Sequence, residues 1–399
     1  MSLNSTVSAE RLHIGFFGMR NAGKSSLVNA VTGQDLAVVS DVKGTTTDPV
    51  KKAMELLPLG PVVIIDTPGL DDEGALGALR VEKAKKALAK TDIAILVLDG
   101  TRGLCPEDRA LLSLFQDRKL PHLIAWNKSD LLPQRPALPE NSLYVSAATG
   151  EGIHDLKELL GRFASGVRKE SLLVSDLIDA GDMVVLVTPI DESAPRGRLI
   201  LPQQLTLRDI LDHRGMVTLC QDTELQATLQ ALSRPPKLVI TDSQVFGSVS
   251  ARVPDDIPLT SFSILMARYK GELALQVRGA AALSRLKDGD RVLISEGCTH
   301  HRQCNDIGTV KMPRWIRDFS GADLQFSFTS GGDFPEDLQE YALVVHCGGC
   351  MLNEAEMKHR MARCRDAGVP VVNYGIAIAQ IHGILRRSLA PFPDMARLL

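Results

Sequence analysis

Short apolar runs alternate with amphipathic stretches along most of the chain. From Leu12 to about Val167 the runs "LHIGFFG", "VVIID", "IAILVLD", "LIAWN" and "LYVSA" predict strands of a largely parallel sheet. Between them "KSSLVNAVTG" and "GALRVEKAKKALAKT" predict helices, the first stopping at Gly33. After the charged stretch "GVRKES" the alternation resumes, with "MVVLVTP", "MVTLC" and "KLVITD" as strands. Helices are expected around "TLRDILDHRG" and "TELQATLQALS". A last block carries strands "RVLIS", "LVVH" and "VPVVNYG" and helices "NEAEMKHRMARCRDAG" and "IAIAQIHGILRRSLA". The expectation is an α/β chain of three domains. An N-terminal P-loop domain with a mostly parallel sheet covers 1–170, and two smaller α/β domains cover 171–258 and 259–399.

Composition narrows the class. With 44% hydrophobic residues, 23% charged, 4% aromatic and a formal net charge of -3, nothing favours a nucleic-acid or membrane partner. No apolar run approaches the ~18 residues of a membrane span. The N-terminus lacks a basic head followed by an apolar core, so a cytoplasmic location with reduced thiols is expected. In that setting the seven cysteines are expected as ligands, catalytic groups or core residues rather than disulfides.

"GMRNAGKS", Gly18 to Ser25, fits the phosphate loop G-x-x-x-x-G-K-[ST], between a predicted strand and a predicted helix. Backbone N–H groups of Asn21, Ala22, Gly23, Ser25 and Ser26 are then aimed at phosphates, with Lys24 neutralising charge. The Ser25 hydroxyl is expected on Mg²⁺, together with Asp66 of "DTPG", whose Gly69 N–H meets the γ-phosphate. Thr46 of "SDVKGTTTD" is expected to sense Mg²⁺ and the γ-phosphate, with Thr45 and Thr47 as alternatives. In "NKSD", Asp130 offers acceptors to the two donors on guanine, Lys128 lies along the ring and Asn127 ties the loop to the phosphate loop. Ser146 and Ala147 of "SAATG" close over the base. These motifs in this order predict GTP/GDP binding. No catalytic group is assigned: Leu70 stands where many regulatory GTPases have a water-positioning glutamine, so slow hydrolysis is expected.

"HCGGC" follows the strand "LVVH", and Cys298 follows "RVLIS". Loops leaving neighbouring parallel strands converge, so Cys298, Cys347 and Cys350 can meet. Three readings stand: a 4Fe–4S cluster on three thiolates, a structural zinc site completed by Cys304, His300, His301 or His346, and a dithiol redox pair. Cys105, Cys220 and Cys364 are expected in core or boundary positions.

Two resemblances add to this. "GMRNAGKSSLVN" and "KGTTTD" resemble the phosphate and first switch loops of the TrmE–Era branch of GTPases. That resemblance implies a K⁺-stimulated enzyme in which Asn21 ligates K⁺. Cys298-x-His300 followed by His346-Cys347-x-x-Cys350 resembles the C-x-H…H-C-x-x-C signature of the HydF family, the maturation GTPases of FeFe-hydrogenases. Across the whole chain this implies a TrmE/Era-like GTP-binding domain (1–170), a dimerisation domain (171–258) and an iron–sulfur domain (259–399). It further implies a 4Fe–4S cluster on Cys298, Cys347 and Cys350 with an exchangeable fourth site, and His300 and His346 nearby. The implied assembly is a homodimer able to form tetramers. The implied role is a scaffold that works with two radical-SAM maturases and delivers a two-iron precursor to apo FeFe-hydrogenase. The competing readings are a K⁺-dependent GTPase of RNA modification or ribosome assembly with structural zinc, and a thiol oxidoreductase using Cys347 and Cys350.

Overall fold

The computed structural model describes residues 7–34, 50–67, 83–167, 172–189, 199–298 and 306–399. The chain divides into two units, Met1–Glu170 and Ser171–Leu399.

In the first unit the elements run β1 (Leu12–Phe17), α1 (Lys24–Thr32), β2 (Val50–Leu56), β3 (Gly60–Asp66), α2 (83–88), β4 (Ile93–Asp99), α3 (Pro106–Asp117), β5 (His122–Asn127), β6 (Ser142–Tyr144) and α4 (Ile153–Val167). The six strands lie in the order β2-β3-β1-β4-β5-β6. All neighbours are parallel except β2, which runs antiparallel to β3. Alternation along the buried strands sorts the core into two layers. Ile14, Phe16, Val62, Ile64 and Ile95 face Leu27 and Val31 of α1 and Leu156 and Leu160 of α4. Phe17, Val63, Ile65, Leu96 and Leu98 face Leu88 of α2 and Leu111 and Phe115 of α3. Because β3 lies on one side of β1 and β4 on the other, the loop after β1 opens at a topological switch point, where ligands of open α/β sheets bind.

The second unit runs β7 (Met183–Val187), α5 (Leu201–Asp212), β8 (Met216–Cys220), α6 (Leu225–Ala231), β9 (Leu238–Thr241), α7 (Phe246–Ser250), β10 (Leu259–Ser261), α8 (Phe262–Lys270), α9 (Leu273–Ala280), β11 (Arg291–Glu296), α10 (Met312–Ser320), β12 (Gln325–Ser330), β13 (Leu343–His346), α11 (Glu354–Asp366), β14 (Val371–Asn373), α12 (Tyr374–Ile381), α13 (Leu385–Ser388) and α14 (Pro393–Ala396). It holds two parallel four-stranded sheets, β10-β9-β7-β8 and β12-β11-β13-β14. The fold class is therefore the α/β one expected: a mostly parallel P-loop sheet followed by two further α/β sheets.

One apolar core joins the two sheets of this unit. Val185, Ile240, Val292, Ile294, Leu343 and Val345 belong to it, with Leu265 of α8, Val277 of α9 and Ile376 of α12. Leu293, Val344 and Val371 point the other way, onto Met357 and Met361 of α11. In the second sheet β12 and β13 flank β11 on opposite sides, so the β11–β13 crevice is again a switch point. The register pairs Ser295 with His346, which brings Cys298 and Cys347 to the same sheet end. The last predicted helix is interrupted: α12 ends at Ile381, and a turn at His382-Gly383 separates it from α13. Among the described residues no helix is long and apolar enough to cross a membrane.

Candidate functional site

The phosphate loop leaves β1 through Gly18 and enters α1 through Gly23, whose φ is 86°. A Cβ on Gly23 would lie 2.3 Å from Asn127 Nδ2, so only glycine fits. Asn21 is also left-handed, at φ 59°. Lys24 is buried and curls over the loop, its Nζ donating to the carbonyls of Gly18 (3.0 Å) and Met19 (2.8 Å). Ser25 Oγ donates to Asp66 Oδ2 at 2.7 Å. Burial pushes the Asp66 carboxyl above its ordinary range, while the Ser25 bond and the Lys24 charge pull it back. Asp66 Oδ1 is buried with no hydrogen-bond partner among the described residues. A buried orphan carboxylate oxygen beside a serine hydroxyl is an oxygen donor set suited to Mg²⁺.

Asn127, at the end of β5, joins three loops. Its Nδ2 donates to Ala22 O (2.9 Å) and its Oδ1 accepts from Ala147 N (3.0 Å). Asp130 is exposed, with Oδ1 held by Ser146 Oγ at 2.6 Å. Lys128 takes the left-handed conformation, and its Nζ is held by Asp99 Oδ2 at 2.6 Å. Two supports were missed from sequence. Asp99 is one, and the other is Glu151, which accepts from Ser129 Oγ (2.9 Å) and pairs with Arg135 (2.5 Å). Asp99 closes a predicted strand and Glu151 directly follows "SAATG", where only the loop geometry gives either a role. Ser26 begins α1 beside Ser25. Thr46 and Gly69 lie outside the described residues, as do Thr45, Thr47 and Leu70.

The thiols gather at the β11–β13 crevice. Cys347 Sγ accepts N–H bonds from Gly297 (3.0 Å) and Gly349 (3.3 Å). Gly349 has φ 63°, and a Cβ there would meet Met357 Sδ at 2.4 Å. Burial pushes the Cys347 thiol up to about 11, with the charge of Cys350 adding to it and the two N–H bonds opposing. Burial raises Cys298 further, and the charges of Cys347 and Cys350 contribute. The charges of Cys347 and Cys350 thus oppose ionisation of Cys298, a conflict that a cationic centre reverses. None of the six described cysteines is in a disulfide. Among the described residues, no group of three His, Cys, Asp or Glu side chains is set to hold a single metal ion. The sulfurs and glycine N–H groups fit an iron–sulfur cluster in donor chemistry, since thiolates hold such clusters and N–H···S bonds tune them. Of the remaining thiols, Cys364 is buried, Cys105 caps α3 and Cys220 ends β8.

His346 turns away from that role. It is fully buried; Nδ1 donates to Cys347 O (2.8 Å) and Nε2 accepts from Arg360 (3.1 Å). Burial, and then the Arg360 charge, lower its pKa to about 3, so the ring is neutral with both nitrogens engaged. Arg360, on α11, is 1% exposed and also donates to Ser295 Oγ, Gly331 O and Glu356 Oε1. Glu296 is buried beside the thiols and accepts from Tyr374 OH at 3.2 Å. His300, His301 and Cys304 lie outside the described residues.

Fold and loops together define a P-loop GTPase domain joined to two further α/β domains. The family profile of the 50S ribosome-binding GTPases matches residues 13–128. The profile of the hydrogen maturase F dimerization domain matches 173–271, and that of its tetramerization domain matches 274–391. Together the last two span more than half of the chain, which belongs to the hydrogen maturase F (HydF) family. The chain is also similar to the tRNA modification GTPase MnmE. It is 36% identical to that of Nitrosomonas europaea over 156 residues, 38% of this chain and 34% of that protein. It is 30% identical to that of Streptococcus pyogenes serotype M6 over 202 residues, 46% and 43% of the two chains. The chain thus spans less than half the length of these relatives. Among solved structures, a tyrosine-to-alanine variant of Aquifex aeolicus Era bound to GDP.AlF4- overlaps with a TM-score of 0.35 at 16% identity, covering 81% of this chain and 94% of that one.

Proposed function

We propose that the chain is a GTP-hydrolysing iron–sulfur scaffold that carries a two-iron precursor to apo FeFe-hydrogenase. One observation carries the reading: both hydrogen maturase F profiles match the half of the chain in which Cys298 and the Cys347/Cys350 pair meet at a switch point. Cys298, Cys347 and Cys350 would hold a 4Fe–4S cluster, which when bound supplies an iron able to meet another molecule. The chain's own part is to hold the sulfurs, donate Gly297 and Gly349 N–H groups to Cys347, and keep His346 bonded to Arg360.

In the first unit, Lys24 and the loop N–H groups would bind the phosphates of GTP or GDP. Asp130 and Lys128 would read the guanine. Ser25, Asp66 and Thr46 would hold Mg²⁺, and Asn21 a stimulating K⁺. Hydrolysis is slow in this account, since Leu70 cannot orient water. GTP turnover gates exchange with the two radical-SAM maturases and the hydrogenase, in the cytoplasm. The middle domain makes a homodimer and the last domain joins dimers into tetramers. The proposed boundaries are 1–170, 171–258 and 259–399. Similarity to MnmE extends over less than half of the chain, so the RNA-modification reading with structural zinc does not account for the two maturase profiles.

The test is transfer. Protein isolated from cells that express the two maturases is mixed with apo-hydrogenase, and hydrogen evolution is assayed. Activity is expected from the wild type and none from Cys347→Ala. Equal activation by both proteins would remove the scaffold reading.

A further inference from the structure

A buried lysine far away in sequence braces the cysteine site. Lys270 ends α8 and is 2% exposed, and burying its ammonium is unfavourable unless acceptors replace the water. Its Nζ donates to Cys350 O at 3.2 Å and Leu352 O at 3.0 Å. α8 approaches the same loop along its length. Ser263 Oγ and Met266 Cβ lie 3.7 and 3.9 Å from where a Gly348 Cβ would stand, and Ser263 O accepts from Asn373 Nδ2 at 2.6 Å. The brace continues beyond Leu352. A Cβ on Gly297 would lie 2.7 Å from Leu352 Cγ, so Leu352 wedges against the residue whose N–H donates to Cys347 Sγ and that precedes Cys298.

We infer that Lys270 is a positioning residue of the three-cysteine site. It fixes the turn after Cys347 through two carbonyls, fixes the Gly297–Cys298 loop through Leu352, and holds a positive charge 3.2 Å from the backbone carbonyl of Cys350. This rests on the cluster reading for its electrostatic part and on the apoprotein alone for its geometric part. A fixed cation near an anionic thiolate-bound cluster stabilises the reduced form, because reduction adds negative charge. α8 begins directly after β10, the edge strand of the middle sheet, so the brace ties the cysteine loop to that sheet.

Two readouts on the full chain test the inference. In the apoprotein, hydrogen–deuterium exchange is followed across residues 347–353, with β7 as internal reference. Losing two hydrogen bonds from a charged donor should speed exchange there by ~10-fold or more in Lys270→Met, with β7 unchanged. Lys270→Arg, which keeps charge and donors, should stay within ~3-fold of wild type. After reconstitution with iron and sulfide, the midpoint potential of Lys270→Met should shift to more negative values while Lys270→Arg keeps that of wild type. Unchanged exchange in Lys270→Met would overturn the positioning role. Fast exchange with an unchanged potential would overturn the electrostatic role. Should Lys270→Met fail to fold, Lys270→Arg decides: folded with slow exchange it supports the inference, and with fast exchange it overturns it. If the wild type takes up no cluster, the scaffold reading falls while the exchange comparison still judges Lys270.

Discussion

Asn127 ties the phosphate loop and the "SAATG" loop to the end of β5, and replacing it separates its two bonds. In Asn127→Ala both are lost. The Ala22 carbonyl is left in a buried position, and the Ala147 N–H in a half-buried one that water can partly reach. At ~1–3 kcal/mol for a buried unsatisfied group, and less for the half-buried one, the combined cost is about 2–4 kcal/mol. About 2 kcal/mol of that should appear as nucleotide affinity, because binding must then order two untied loops, and this corresponds to a ~30-fold weaker Kd. Asn127→Asp sharpens the case. It keeps an acceptor for Ala147 N–H but turns an acceptor toward Ala22 O. The close approach of Gly23, whose Cβ position is 2.3 Å from Nδ2, leaves no room for the group to swing aside. The aspartate should therefore bind a fluorescent GDP analogue no better than the alanine at pH 8, in spite of its retained bond. Its defect should shrink as pH falls, since a protonated carboxyl can donate to Ala22. Titration of both variants, with thermal melting of the nucleotide-free proteins, measures this. An Asn127→Asp protein closer to wild type than Asn127→Ala at pH 8 would refute the reasoning, by showing that the bond to Ala147 carries the effect.

Three other outcomes are expected, two from side-chain packing and one from the proposed K⁺ site. Arg360→Met should destabilise the second unit by ~3–5 kcal/mol, because Glu356 is left buried without its cation, and a lowered melting temperature checks it. The Arg268–Asp176 pair, hydrogen-bonded through Nη1 at 2.8 Å, holds the Asp176 carboxyl below its ordinary range through the Arg268 hydrogen bonds. A depressed carboxylate stabilises the fold above its unfolded value of 3.8 and loses that contribution as pH falls through the lower folded one. A double-mutant cycle with Arg268→Met and Asp176→Asn should give a coupling of ~1 kcal/mol or less at pH 7, since both side chains are partly exposed, vanishing in strong acid. Asn21→Ala should abolish stimulation of GTP turnover by K⁺ over Na⁺ while GDP binding persists; an unchanged K⁺ response would remove the potassium role.

Sequence was most informative where chemistry demands a residue type at a fixed spacing. The phosphate loop and "HCGGC" are such places, because Gly23 and Gly349 take positive φ where a Cβ would strike Asn127 and Met357. Strands buried on both faces, such as "IAILVLD" and "LVVH", were equally legible as continuous apolar runs. Edge strands divided: β6, β8 and β14 were read from "LYVSA", "MVTLC" and "VPVVNYG", whereas β2 and β12 were not. β2 reads "VKKAMEL" and β12 reads "QFSFTS", and their polar residues hide strands whose outer side meets no neighbour in the sheet among the described residues. Supporting cations were hidden for the opposite reason. Arg360 sits in "EAEMKHRMARCRD" among charges that suggest a solvated helix, and Lys270 sits at a helix end before Gly271. Their burial is decided by which elements pack against them, Ser295 and His346 in one case and the Cys350 loop in the other. Arg387 behaves likewise: it caps the carbonyls of Ser250, Val253 and Pro254, while its neighbour Arg386 is exposed.

The central claim is that three cysteines from two strand ends hold one iron–sulfur cluster. Anaerobic reconstitution with iron and sulfide, followed by electron paramagnetic resonance of the dithionite-reduced protein, tests it most directly. Wild type is compared with Cys298→Ala, Cys347→Ala and Cys350→Ala. The account predicts a reduced 4Fe–4S signal in the wild type that each single substitution abolishes or alters, with Cys105→Ala leaving it intact. Tightly bound zinc and no cluster signal in the wild type would contradict it.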